Sequence, residues 1–307
     1  MSSLPEETHA HPSFPRARRP AGRPAPGPGQ IRVAVQACGL TPADWALCGG
    51  LFAGDLPRGI GLEVAGTVDA LGDGVTGVGI GDAVFGPVPF RGPTAGASEQ
   101  ALLDVWFPRP PALDPVDAAA LPMAVETAYR GLDVLGVRAG TTVLVHGAGT
   151  TVGYAAVQIA IGRGARVIAT AGETYADALR AVGADVTGYG DGLPERVRAL
   201  AGGPVDLVLD TAPVSNALPG LIRTVEAPDH VLTLSDFAAA NELGTRGGGP
   251  DAHAELRTDV LGEYARLAAE GRFSVPVART FPLEDWRTAA KLSQSGQARG
   301  KLVLKIG

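Results

Sequence analysis

The chain has 307 residues, 45% hydrophobic and 19% charged, which is typical of a globular protein of two domains. The formal net charge is −6, and the single basic cluster, residues 16–23, lies in a Pro-rich tail, so a nucleic-acid partner is not expected. No apolar run is long enough for a membrane span, and the first 25 residues lack the apolar segment of a secretory signal. With only Cys38 and Cys48 available, a disulfide framework is not expected, and we expect a cytoplasmic location.

Short apolar strands separated by glycine turns dominate the first third of the chain. We expect residues 1–28 to form an irregular or disordered tail, because they are rich in Pro, Gly and Arg and poor in apolar residues. Glycine turns at residues 49–50 and 72–81 separate the strands that follow. This spacing predicts an all-β, barrel-like unit. The predicted strands are residues 30–37, 62–71 and 81–87.

Beyond residue 114 helices appear, and from residue 142 strands and helices alternate. The strands are apolar without polar alternation, which indicates burial on both faces in a parallel sheet covered by helices. The predicted strands of this part are residues 142–146, 165–169, 205–210 and 230–234, and its predicted helices are residues 114–135, 152–162, 175–182 and 218–225. After a break at 244–250, helices are predicted at 253–270 and 283–293, and strands at 275–278 and 301–306.

The glycine turn Gly147–Gly153 directly follows the first strand of the predicted parallel sheet and opens a helix. Gly147 permits a tight turn, Gly149 lets a ligand approach the backbone, and Gly153 lets the helix pack closely on the strand. Backbone amides and the positive helix end favour a pyrophosphate there. We therefore predict a dinucleotide on this turn, although Val152 stands where the strict G-x-G-x-x-G spacing has its third glycine. The alternative is a strand–helix turn without a ligand.

The residues after the next predicted strand bear on which dinucleotide binds. Ala171 and Gly172 follow it without charge, the first acid is Glu173, and the nearest cation is Arg180. An NAD site usually holds the ribose hydroxyls with an acid at the strand end, whereas an NADP site calls for Arg or Lys. The missing strand-end acid favours NADPH, with NADH as the alternative.

Eight segments along the chain carry motifs that occur together in one family. They are residues 38–45 (CGLTPADW), 61–68 (GLEVAGTV), 79–86 (GIGDAVFG), 118–127 (AAALPMAVET), 146–153 (HGAGTTVG), 183–185 (GAD), 207–211 (LVLDT) and 296–304 (GQARGKLVL). Together they resemble the medium-chain dehydrogenase/reductases and, within them, the zinc-free quinone oxidoreductase (zeta-crystallin-like) branch. The resemblance runs from about Gly29 to Ile306, because the tail replaces the family's usual opening strands.

The resemblance implies an α/β fold of two parts. Residues 29–125 and 250–307 would form a GroES-like, bent β-barrel catalytic domain. Residues 126–249 would form a Rossmann domain with a doubly wound parallel sheet, and the substrate would bind between the two domains. The family commonly pairs through an edge strand, here near residues 230–234, so a homodimer is expected by analogy.

The resemblance also bears on metal and chemistry. Zinc-dependent relatives have Cys and His where this chain has Thr41 and Leu62, and neither Thr nor Leu binds zinc. Cys38 lies three positions too early to replace the first ligand. We therefore expect no zinc, and without this Lewis acid the reduction of an already activated acceptor is the favoured chemistry.

Site residues follow from the same resemblance. Thr41 and Thr127 are the candidate catalytic residues, close to the nicotinamide and the substrate carbonyl. The candidate cofactor-binding residues are Gly147, Gly149, Thr150, Thr151, Val152, Gly153, Ala171, Gly172, Arg180, Ala212, Leu234, Arg299 and Lys301. The candidate substrate pocket comprises Trp45, Leu51, Phe52 and Phe90, with core packing as an equal alternative. Alternatively, Thr41 only starts a turn, Thr127 only satisfies its helix, and Lys301 is a solvated strand-edge charge.

The favoured function is NADPH-dependent reduction of a small quinone or α,β-unsaturated carbonyl compound. The first alternative is an enoyl reductase of a carrier-bound, polyketide-type intermediate. Others are an NADPH-binding protein without turnover and a non-redox biosynthetic enzyme. Asp44, Glu63 and Tyr129 are further candidates for a proton donor and His146 for a base, but structural roles are favoured for them.

Overall fold

The structure is a computed structural model of the chain, and it describes residues 23–48, 59–90, 95–247 and 254–307. Most of the predicted tail, the predicted turn at residues 49–50 and two candidate pocket residues, Leu51 and Phe52, lie outside these ranges. Among the described residues, no helix is both long and apolar enough to cross a bilayer.

Strands and helices are numbered here in chain order. The strands are β1 Ile31–Leu40, β2 Glu63–Leu71, β3 Ala83–Pro87, β4 Gln100–Leu103, β5 Phe107–Pro108, β6 Thr142–His146, β7 Arg166–Thr170, β8 Asp185–Thr187, β9 Leu207–Asp210, β10 Val231–Thr233, β11 Val277–Pro282 and β12 Lys301–Lys305. The helices are α1 Pro42–Cys48, α2 Pro115–Ala118, α3 Leu121–Leu135, α4 Thr151–Gly162, α5 Glu173–Ala181, α6 Leu193–Ala201, α7 Leu218–Ile222, α8 Phe237–Leu243, α9 Leu261–Ala269 and α10 Trp286–Gln294. Short 3-10 turns lie at Pro228–His230, Thr258–Val260 and Leu283–Asp285.

The first and last parts of the chain share one sheet, which we call the mixed sheet. Among the described residues its strand order is β11-β12-β1-β2-β3-β5, and β4 also pairs with β1. One edge of β1 pairs with β2. On its other edge, the first half of β1 pairs with β4 and the second half pairs with β12. Splitting one strand between two partners in this way bends a sheet. The described pairs form an open path instead of a closed ring, as suits a GroES-like fold.

The middle of the chain forms the second sheet, which we call the parallel sheet. Its order in the described residues is β10-β9-β6-β7-β8, and each neighbouring pair is parallel. Val143, Leu144 and Val145 of β6 are fully buried, as the unbroken apolar pattern predicted. Because β6 lies between β7 and β9, the strand order reverses there, and ligands of such sheets bind beyond the carboxyl ends at this point.

Helix α3, packed against α4, joins the two sheets. Helix α4 has fully buried alanines, Ala155 and Ala156, which allow it to pack closely on β6, β7 and α3. Helix α3 also contacts β3 of the mixed sheet and β9 of the parallel sheet. One continuous core therefore contains residues of both sheets, such as Phe85 and Val145. The domain boundary proposed between residues 125 and 126 falls inside α3 and stays a prediction.

Tertiary contacts changed one predicted helix. The pattern predicted a helix over residues 253–270, but residues 254–257 are not helical and α9 begins at Leu261. The Arg257 backbone amide donates to Glu126 Oε1 at 3.3 Å, and its side chain pairs with Asp133 and Asp259. These contacts hold Arg257 at φ −101° and ψ 50°, outside the helical region. The prediction was wrong over these residues because contacts with α3 hold the segment in a non-helical conformation.

Candidate active site

The glycine turn lies where the parallel sheet reverses its order. Gly147 has φ +76°, and a Cβ there would lie 2.6 Å from the Ala212 nitrogen. A Cβ at Gly153 would overlap the Gly147 carbonyl oxygen and would lie 2.5 Å from Thr211 Oγ1. Both positions therefore require glycine. At Gly149 an added Cβ would meet only a Tyr175 ring carbon, at 3.4 Å, so this part of the turn is the more open one.

Two threonine hydroxyls hold the turn in shape. Thr150 caps α4, because its Oγ1 accepts the Gly153 amide at 3.0 Å. It also lies 3.2 Å from Thr211 Oγ1, and Thr211 in turn reaches the carbonyl oxygens of His146 and Gly147 at 2.8 and 3.0 Å. The turn is thus fixed before any ligand binds.

Three backbone amides of the turn remain available. Within the described part of the chain, the N–H groups of Gly149, Thr151 and Val152 have no hydrogen-bond acceptor. They lie at the start of a twelve-residue helix, where the helix dipole adds partial positive charge. Unpaired amides at such a helix start suit the oxygens of a pyrophosphate. The residues of the turn therefore fit the dinucleotide predicted for it.

His146 supports the turn from behind and is not placed to act as a base. Gly147 N donates to Thr170 Oγ1 at 3.0 Å, so the Thr170 hydroxyl can donate to His146 Nδ1, 2.9 Å away. This arrangement places the proton of the neutral ring on Nε2. Burial lowers the pKa of His146 to about 4, so the ring is neutral at physiological pH.

Ala212 and Leu234, two predicted cofactor positions, lie at the carboxyl ends of neighbouring strands. The Asp210 carboxylate accepts the Ala212 amide at 3.1 Å, and Ser235 Oγ donates to the Ala212 carbonyl at 2.6 Å. Leu234 N donates to the Asp210 carbonyl oxygen at 2.9 Å. Asp210 also accepts the Thr233 hydroxyl at 2.9 Å, and burial raises its pKa to about 6. The sequence reasoning missed Asp210 and Ser235, although an acid at a strand end was a visible signal.

Thr41 lies at the end of β1, in the region where zinc relatives have a ligand. Its Oγ1 accepts the Ala43 amide at 3.1 Å, so it does start the α1 turn. In this bond the hydroxyl is an acceptor, which leaves its O–H able to donate to a substrate oxygen. Asp44 accepts the amides of Thr41 and Gly61 at 2.7 and 2.6 Å. Burial raises the pKa of Asp44 to about 7.

Lys301 and Glu63 form a buried ion pair that connects three elements. The Lys301 ammonium donates to Glu63 Oε1, and Glu63 Oε2 accepts the Met123 amide of α3 at 2.8 Å. Lys301 is only 2% exposed, so its interpretation as a solvated strand-edge charge is wrong. The pair links β2, β12 and the start of α3, and it directs the Lys301 ammonium towards Glu63 in the interior. Both oxygens of the Glu63 carboxylate are engaged, one by Lys301 and the other by the Met123 amide, as its structural role predicts.

Thr127 and Tyr129 lie on α3 with partners of different kinds. The Thr127 hydroxyl donates to Glu126 Oε2 at 3.4 Å, as in the alternative that it satisfies its own helix. Tyr129 contacts two guanidinium groups, those of Arg163 and Arg257, which lie 4.2 and 4.6 Å from its ring centroid. These cation–π contacts give Tyr129 a structural role.

The two candidate arginines have different surroundings. Arg180 pairs with Asp177 at 2.8 Å on the exposed face of α5. Arg299 comes from the loop before β12, and its Nη1 donates to Thr174 Oγ1 at 3.3 Å beside the glycine turn. Sequence reasoning missed Thr174 and Tyr175, because nothing local shows which distant segment covers them.

The candidate pocket residues are only partly described. Trp45 Nε1 donates to Ser293 Oγ of α10 at 2.8 Å, and the ring packs on the mixed-sheet core, as the packing alternative predicts. Phe90 is 46% exposed. Leu51 and Phe52 lie outside the described residues. The pocket formed by these four residues therefore stays a prediction.

Thr41 and Leu62 stand where zinc-dependent relatives have ligands, and no cluster of metal ligands replaces them among the described residues. Among the described residues, no three His, Cys, Asp or Glu side chains are grouped so that they could hold a metal ion. Thr41 and Leu62 are both buried. Neither side chain offers a zinc ligand, so the residues present do not fit a catalytic zinc.

Comparison with known proteins gives a consistent result. A family model described as a zinc-binding dehydrogenase matches residues 147–304, and the alcohol dehydrogenase GroES-like domain model matches residues 27–101. The chain is 35% identical over 296 residues to the spectinabilin polyketide synthase system protein NorB of Streptomyces orinoci. That match covers 91% of this chain but only 13% of NorB.

Two solved structures match over nearly their full length. An alcohol dehydrogenase superfamily protein from Novosphingobium aromaticivorans has a TM-score of 0.82 and 30% identity, with 95% of this chain and 96% of that chain covered. The quinone oxidoreductase from Coxiella burnetii has a TM-score of 0.77 and 27% identity, with 93% of each chain covered. The chain therefore belongs to the medium-chain dehydrogenase/reductase superfamily.

Proposed function

We propose that this chain reduces quinones or α,β-unsaturated carbonyl compounds with NADPH, without zinc. One observation carries the proposal: the chain has a turn suited to a dinucleotide, but it has Thr41 and Leu62 at the positions where zinc-dependent relatives have metal ligands. A quinone or enone already delocalises the negative charge that hydride addition creates. It therefore needs a Lewis acid less than an alcohol does.

In this proposal the residues of the chain bind and orient the reactants. The free amides of the turn hold the pyrophosphate, and the fixed backbone at Ala212 and Leu234 supports the dinucleotide along the strand ends. The bound reduced dinucleotide supplies the hydride. Thr41 donates a hydrogen bond to the substrate carbonyl oxygen, where negative charge develops, and Thr127 lies near the nicotinamide.

A second candidate is reduction of an enoyl thioester. Its chemistry is the same, since the thioester carbonyl conjugates with the double bond. The similarity to NorB, a polyketide synthase system protein, favours this candidate. The two candidates differ in whether the cleft admits a long pantetheine arm.

Loss of absorbance by the reduced nicotinamide tests the proposal. Purified chain is mixed with NADPH or NADH and with one acceptor: a quinone, an enal, an enoyl-pantetheine thioester, or an unconjugated ketone, whose reduction gives an alcohol. Turnover of the quinone or enal supports the first candidate, and turnover of the thioester alone supports the second. If both nucleotides bind but no acceptor is reduced, the proposed activity is wrong and a binding protein is indicated. One zinc per chain that resists chelator would refute the zinc-free reading.

Two further properties belong to the proposal, a dimer by analogy with the family and a location inferred from the two cysteines. We propose a homodimer that pairs near residues 230–234, and a cytoplasmic location. In the described region the outer side of β10 has one isolated bridge, between Leu232 and Arg246. Light scattering of the purified chain tests the dimer, and a mass of one chain would refute it.

A further inference from the structure

The face of α5 that carries Arg180 does not suit an additional phosphate. Glu173, Ala176, Asp177 and Arg180 line one open groove of about 490 Å³ with the end of β8. The spacing of these residues places them on one side of the helix. Asp177 neutralises Arg180, and Glu173 adds a negative charge. A phosphate monoester in this groove would meet a net negative surface.

Arg299 does not line this groove. It contacts Thr174 in the first turn of α5, next to the glycine turn. Its guanidinium donates to Thr174 Oγ1 at 3.3 Å, and both side chains are exposed. The Tyr175 hydroxyl donates to the Arg299 carbonyl oxygen, while the Tyr175 ring lies 3.4 Å from where a Gly149 Cβ would be. Arg299 is thus fixed beside the open part of the turn.

The backbone conformation of Arg299 supports a functional role for the contact between Arg299 and Thr174. Arg299 has φ +48°, which is unfavourable for a residue with a side chain. The adjacent Gly300 leaves no room for a Cβ, which would lie 2.9 Å from both the Pro276 carbonyl oxygen and the Tyr175 hydroxyl. The surrounding contacts therefore hold this cation in place against its backbone preference.

The position matches one end of a dinucleotide on the turn. A dinucleotide whose pyrophosphate lies on the first strand–helix turn reaches the end of the second strand with its adenosine ribose. Here the second strand is β7, and its last residue, Thr170, contacts Gly147 directly. Helix α5 begins three residues later, at Glu173, so the ribose 2′ position would come close to Thr174 and Arg299.

We propose that Arg299 and Thr174 bind the 2′-phosphate of NADPH and set the preference for NADPH over NADH, with Tyr175 positioning Arg299. This inference rests on the proposed function, and it assigns the preference to an arginine of the mixed-sheet side instead of Arg180. A guanidinium with a neighbouring hydroxyl is a suitable pair of donors for a phosphate monoester. The dinucleotide then contacts both sheets, through the turn and through Arg299.

Equilibrium binding of NADPH and NADH to the full chain, followed by nucleotide fluorescence or calorimetry, tests the inference. Arg299→Ala should raise the Kd for NADPH about 10- to 100-fold and change the Kd for NADH less than about threefold. Arg299→Gly suits the positive φ and should give the same loss, which separates the guanidinium from backbone strain. Arg299→Lys should recover part of the affinity, and Thr174→Val and Tyr175→Phe should each give a smaller loss specific to NADPH.

Arg272→Ala, which removes an exposed arginine paired with Glu270, is the matched control and should leave both Kd values unchanged. The inference is overturned if Arg180→Ala causes the NADPH-specific loss, or if Arg299→Ala weakens both nucleotides equally, which would place Arg299 on the shared pyrophosphate. A wild-type chain that binds NADH as tightly as NADPH overturns it too. If the wild-type chain binds neither nucleotide, the proposed function fails and this inference fails with it; the other outcomes leave the proposed function standing.

Discussion

A Cβ at Gly153 would lie 2.5 Å from Thr211 Oγ1, so α4 can begin beside the residue that follows β9 only because residue 153 is glycine. Thr211 is also the residue that contacts the carbonyl oxygens at the start of the turn. The same side chain therefore fixes the entry of the turn and limits the space at its exit. This relationship separates the glycines that shape the turn from the glycine that is open to a ligand.

Gly153→Ala and Gly149→Ala should therefore behave differently. Gly153→Ala should destabilise the chain by about 1–3 kcal/mol, because the turn must shift to avoid overlap. Gly149→Ala should change stability little, since its Cβ meets only one ring carbon at 3.4 Å, yet it should weaken nucleotide binding. Thermal unfolding and nucleotide titration measure the two effects. Equal destabilisation by the two variants would contradict this assignment.

Asp210 should make stability depend on pH. Burial raises its pKa from 3.8 to about 6, so the folded state binds the proton more tightly than the unfolded state. The resulting stability is present below pH 3.8 and is lost as pH rises to about 6, by up to about 3 kcal/mol. Asp210→Asn keeps an acceptor for Ala212 and removes the charge. The unfolding free energy of wild type relative to this variant should therefore fall between pH 4 and pH 6, and a constant difference would refute the assignment.

His146 should act in the opposite direction. Burial lowers its pKa from 6.5 to about 4, so its contribution is complete above pH 6.5 and is lost as pH falls towards 4. The loss should reach up to about 3 kcal/mol. His146→Asn keeps an acceptor near Thr170 without a titrating ring. Urea unfolding at several pH values should show a smaller acid loss in the variant, and an identical acid loss in both proteins would count against this origin.

Breaking the buried pair of Glu63 and Lys301 should be costly. Lys301→Met leaves the Glu63 carboxylate buried without its cation and should destabilise the chain by about 3–5 kcal/mol. Glu63→Gln in the same chain removes the stranded charge and keeps an acceptor for the Met123 amide, so the double variant should recover part of the loss. Denaturant midpoints measure both. A double variant less stable than Lys301→Met alone would contradict a simple charge-burial account.

Thr41 should affect turnover more than folding. Thr41→Val removes the hydroxyl and should lower kcat about 10- to 100-fold, whereas Thr41→Ser keeps the O–H and should retain most activity. Nucleotide affinity should stay within about threefold in both variants, since the proposed hydrogen bond goes to the substrate. Steady-state kinetics with the accepted substrate provide the measurement. Full activity in Thr41→Val would remove Thr41 from the reaction.

The sequence by itself determined the features that depend on neighbouring residues. The buried strands of the parallel sheet follow from unbroken apolar runs, and β6 has the predicted bounds. The glycine turn is equally local, since the positive φ of Gly147 is a property of a strand–turn–helix unit. Short strands with few apolar residues were missed, such as β5 and β8, because they gain stability from their partners and not from their own pattern.

Only the tertiary structure decided which charged groups are available for a ligand. Arg180 looked suitable for a phosphate because it is close in sequence, but Asp177 neutralises it. Lys301 was predicted to bind the cofactor, with a solvated strand-edge charge as the alternative, but Glu63, 238 residues away, holds it in the interior. Arg299 reaches Thr174 across 125 residues of chain. Pairing of charges depends on distances in space, and no local pattern encodes the contact between two segments that far apart.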